Sequence, residues 1–102
     1  MTIKLPAKNI DLVNEKGEKV GEKNIVVYLL GLVIVSTPQK SDTDSLTAFG
    51  LRDKLEAQPL DAYSLEVSEG ETGFIRTGMD KLRASDRMAG ADWGYLVKAL
   101  QQ

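Results

Sequence analysis

Hydrophobic and polar positions along this chain change rhythm from segment to segment, and each rhythm predicts a different element. Between Ile3 and Val20 they alternate: Ile3 and Leu5, then Ile10 and Leu12, are separated by polar or small residues, the two-residue period of a strand with one covered face. Asn14-Glu15-Lys16-Gly17 supplies a turn in which Gly17 is free to take a positive φ. Pro6 lacks a backbone N–H and belongs at a sheet edge. Two hairpins satisfy this pattern, one pairing strands around 3–5 and 10–13, the other pairing 10–13 with 18–20.

From Ile25 to Val35 the alternation stops, and the chain is apolar for eleven residues, interrupted only by Gly31. The valines and isoleucines favour a strand, and a strand through Val33–Val35 fits them. The surroundings favour a helix: Asn24 is a good N-cap, Glu22 carries negative charge near the helix start, and the run exceeds the usual strand length. The segment therefore reads as a buried helix of about three turns that fills the core. It falls short of the roughly 20 residues needed to cross a bilayer, so no membrane role is expected.

The segment Thr37–Asp44 has no aliphatic side chain and reads as a loop. A helix over 43–57 follows, capped by Asp42 or Asp44, with Leu46, Phe49, Leu51 and Leu55 as its apolar face and Pro59 forbidding continuation. An irregular link then leads to a short extended piece, Leu65-Glu66-Val67-Ser68. Ser68 and Glu71 have the spacing of a capping box for a helix over 69–84, where Phe74, Ile75, Met79 and Leu82 recur on one side. After a break at Ser85–Gly90, Trp93, Leu96, Val97 and Leu100 form the stripe of a last helix beginning at Ala91 or Asp92.

Together these elements predict an α+β fold within one domain, 1–102: a β-hairpin region over 1–23, then three to four helices over 24–102. The chain is within the usual size of a single domain, and 42% hydrophobic with 27% charged residues suits a globular core. A net charge of −2 gives no general attraction to nucleic acid or anionic lipid. Composition narrows the chemistry much further, because the chain contains neither cysteine nor histidine. Thiolate and histidine metal sites, thiol nucleophiles and serine–histidine triads are thereby removed. Neither an enzyme nor a cofactor is expected.

The remaining candidates are contact surfaces. Asp42 and Asp44, with Asp53 and Glu56 further on, lack the spacing of a calcium loop, and Asp42 and Asp44 read instead as helix-start residues. Gly70, Gly73 and Gly78 lie along one helix edge and permit close approach of another backbone, inside the domain or from a partner. Tyr95 points away from the Trp93 stripe and is the better aromatic candidate for an interface. Arg76, Lys81, Arg83 and Arg87 form the densest basic group; as an alternative they would contact phosphates, although Glu71, Asp80 and Asp86 interrupt them.

The order of elements resembles small proteins encoded by tailed bacteriophages and prophages. The resemblance covers most of the chain: the segment Ile10-Asp11-Leu12-Val13-Asn14-Glu15-Lys16-Gly17, the apolar run ending Leu29-Leu30-Gly31-Leu32, the polar gap, the helix Leu46–Leu55, the piece Leu65–Ser68 and the closing helix Trp93–Leu100. It implies a protein in the cytoplasm of a bacterial host or associated with the virion, with no catalytic residues to carry over. The implied role is a non-enzymatic interaction protein, an assembly factor or minor structural component, that binds a protein partner or itself. A nucleic-acid-binding or regulatory module using the basic helix is the alternative.

Overall fold

Eight elements follow one another in a computed structural model that describes residues 1–86, 88 and 92–101. They are β1 (Thr2–Lys4), β2 (Asn9–Val13), β3 (Lys19–Asn24), α1 (Ile25–Ser36), α2 (Asp42–Glu56), β4 (Ser64–Glu66), α3 (Glu69–Ala84) and α4 (Asp92–Leu100), the expected α+β arrangement.

Of the two possible hairpins, the chain forms the second. β2 pairs antiparallel with β3, from Asn9 opposite Asn24 to Val13 opposite Lys19, with a register shift at Leu12/Val13. The Asn14 side chain accepts hydrogen bonds from the backbone of Lys16 and Glu18, and Gly17 has φ 79°. β1 instead pairs with β4, setting Ile3 against Leu65 across more than sixty residues. The Val67 amide extends this ribbon by donating to the Met1 carbonyl at 2.9 Å.

α1 is a helix from its first residue because Asn24 closes its open end. The Asn24 side-chain oxygen accepts from the Val26 amide at 2.8 Å, while its nitrogen donates to the carbonyls of Ala62 at 2.6 Å and Leu60 at 3.1 Å. One buried side chain therefore caps the helix and pins the link that precedes β4. The high valine and isoleucine content is explained by position: α1 packs against α2, α3, β2 and β3, so tertiary burial overrides strand propensity.

α2 begins one residue earlier than expected and is capped by Ser41, whose hydroxyl accepts from the Asp44 amide, whereas Asp42 and Asp44 occupy its first turn. Its core face also differs. Ala48, Leu51 and Leu55 are buried, while Leu46 and Phe49 are 72% and 63% exposed. Leu46 lies two residues from Ala48 and Phe49 two from Leu51, about 200° around the helix, so the two sets cannot share a face. α3 has the expected bounds and a complete capping box. α4 buries Trp93, Leu96, Ala99 and Leu100 and packs against β1.

Candidate interaction surface

Three surface regions collect the residues that sequence singled out, together with others that it did not. The first is the outer side of α1. This helix contains no charged residue, yet Val35 is 80% exposed, Leu32 lies at the surface, and Tyr28 and Gly31 are half-buried beside them. At 100° per residue these side chains form one strip, opposite the buried Leu29, Leu30 and Val33. A groove of about 370 Å³ borders it, lined by Val27, Gly31, Ile34 and Val35 of α1 and by Arg52 and Leu55 of α2. Phe49 stands one turn before Arg52. Sequence reasoning treated the whole apolar run as core, and the signal it passed over was the run's lack of a polar face.

The second region is a trench between α2 and α3. Gly70, Gly73 and Lys81 line it, so one member of the expected basic group joins two of the expected glycines. Gly78 does not join them. It is buried against α1, where an added Cβ would come within 2.7 Å of Val33 Cγ1 and 3.0 Å of the Val33 carbonyl, and closer still to the Thr37 hydroxyl. Of the three glycines, this one serves the internal helix contact, whereas Gly70 and Gly73 meet only open space.

The third region is the groove between α3 and α4, where Arg76 and Arg83 face Val97 and Leu100. The Arg76 guanidinium donates to the Leu100 carbonyl at 2.6 Å, and Arg83 pairs with Asp80 at 3.1 Å. Lys81 is about 140° around α3 from Arg76, so the basic residues do not form one face. Arg87 lies outside the described residues. Tyr95 is 46% exposed on α4, close to the ion pair of Lys8 with Asp92 at 2.7 Å. The hydrogen bond that Lys8 donates to the Asp92 carboxylate raises the Lys8 pKa above its ordinary value, against an opposing effect of desolvation.

The titratable group most removed from solvent is Glu71. Its carboxylate accepts from Lys54 at 2.6 Å and from the Ser68 amide at 2.8 Å, and Lys54 also donates to the Glu66 carbonyl. Burial pushes its pKa up, but the hydrogen bonds from Lys54 and Ser68 and the charge of Lys54 outweigh this and hold it below the usual value. The arrangement ties α2, α3 and β4 together as a structural staple. Among the described residues no three carboxylates gather as a metal site, and no helix is long and apolar enough to cross a membrane. No protein-family model, curated protein or solved structure matches the chain.

Proposed function

We propose that this chain is a non-enzymatic interaction protein of phage or prophage origin, acting in virion assembly through a protein partner or a second copy of itself. The observation that carries the contact role is the outer strip of α1. A helix apolar on every side is normally covered on every side, and here Val35 and Leu32 are left at the surface. The phage assignment rests on the resemblance in element order, and places the protein in the cytoplasm of a bacterial host or on the particle.

The test is co-purification of the tagged chain from bacteria in which phage particles are being assembled. Recovery of a head, tail or assembly-intermediate protein is expected, and recovery of none would count against the assembly role. The alternative, a nucleic-acid-binding or regulatory module, has less support: Arg76 is engaged with the α4 terminus, Arg83 with Asp80, and Lys81 lies on another side of α3. Binding to a DNA duplex at low salt that weakens with added salt and is lost on charge reversal of Arg83 would revive it.

A further inference from the structure

The α2–α3 trench combines features that the proposed function does not use. Its volume is about 400 Å³, and Lys40 and Lys81 both line it. Among the described residues neither lysine has an ion-pair partner, in contrast to Lys8, Lys19 and Lys54. Asp44 also borders the trench, one of its carboxylate oxygens accepting the Lys40 amide at 3.1 Å, and the two lysines outweigh its single negative charge. Gly70, in the first turn of α3, and Gly73 leave the α3 wall without side chains, and an interior glycine such as Gly73 costs about 1 kcal/mol relative to alanine.

The hydroxyls narrow the ligand. Thr47 donates to the Thr43 carbonyl at 2.9 Å and Thr77 to the Gly73 carbonyl at 3.0 Å. Their protons are thus engaged within the helices, and both oxygens remain as acceptors facing a ligand's N–H groups. An occupant should therefore carry negative charge for the lysines, N–H donors for the threonines, and a main chain narrow enough to lie along the glycines. Nucleic acid fits less well, because the aromatic ring in the trench, Phe74, is buried and offers no exposed face for base stacking.

We propose that this trench binds an extended acidic peptide segment of a partner protein. The site is separate from the α1 strip; it shares with the proposed function only that the partner is a polypeptide, and it does not depend on a phage origin.

Fluorescence anisotropy of the purified chain with a labelled octapeptide of alternating glutamate and alanine tests it directly. Saturable binding that weakens with salt is expected, with no binding of the alternating lysine–alanine peptide. The Lys40→Glu/Lys81→Glu double variant should weaken binding about tenfold or more at low salt. Gly73→Leu should abolish binding by filling the trench while leaving the unfolding midpoint unchanged or higher, which separates occlusion from misfolding. Absence of binding, or binding indifferent to both variants, would overturn the proposal. Displacement by oligothymidylate or inorganic phosphate at lower concentrations than the unlabelled peptide would overturn it too, by assigning the lysines to phosphate. Failure of the co-purification experiment would leave this result untouched.

Discussion

At the scale of single residues, Asn24 and Gly78 show how much can depend on one side chain or its absence. Asn24→Ala removes a helix cap and the side-chain donor to the Leu60 and Ala62 carbonyls, of which Ala62 keeps its bond from Gln58. The expected loss is about 2 to 4 kcal/mol in denaturant unfolding. Asn24→Ser keeps a cap acceptor but cannot reach the link in the same way, and should recover only about 1 kcal/mol of that. Gly78→Ala should cost about 1 to 3 kcal/mol, since Val33 and Thr37 would have to move, although alanine is the better helix former. Gly73→Ala, with open space around it, should instead stabilise by up to about 1 kcal/mol. Equal effects at the two glycines would refute the distinction drawn between them. Sequence placed both on one helix edge. Five residues set them about 140° apart around the helix, however, so only one of the two faces α1.

Among the helices, α3 was the most legible and α2 the least. The α3 signal is local: Ser68 and Glu71 three residues apart, then Phe74, Ile75, Met79 and Leu82 in helical period, and each landed as expected. α2 misled because its two largest apolar residues, Leu46 and Phe49, face solvent, while the small Ala48 faces the core. The β1–β4 ribbon was invisible because its partners are separated by most of the chain, and nothing in Thr2–Lys4 specifies Ser64–Glu66 over β2. The capping box makes a pH prediction. Glu71 has a folded-state pKa below its unfolded value, near 4.3, so its ionised form stabilises the fold above that pH and the contribution is lost as pH falls through the lower folded value. Glu71→Gln should cost about 1 to 2 kcal/mol at pH 7, and the gap to the parent protein should shrink below about pH 4. A pH-independent gap would show that the Lys54 pair contributes nothing.

Over the whole molecule, the buried cluster runs continuously from Ile3 through α1, α2 and α3 to α4. Trp93 fixes the last helix to it, being 6% exposed. Trp93→Ala should lower stability by about 3 to 5 kcal/mol, and an unchanged unfolding midpoint would mean that α4 does not dock as described. The apolar strip on α1 belongs to this scale as well, since its exposure follows from which elements cover the helix and which do not. The length and apolar character of α1 were plain in sequence, but its uncovered side was not. Val35→Lys with Phe49→Lys should alter stability by no more than about 0.5 kcal/mol, because both side chains are already in solvent, while removing association.

The most direct measurement of the contact role is site-specific photocrosslinking, with a photoreactive phenylalanine analogue at position 35 and a control at position 15 in the hairpin turn, in bacteria assembling phage particles. One discrete adduct is expected at position 35, to a single assembly protein or a second copy of the chain, and none at position 15. No adduct at either position, or the same diffuse set at both, would contradict the contact role.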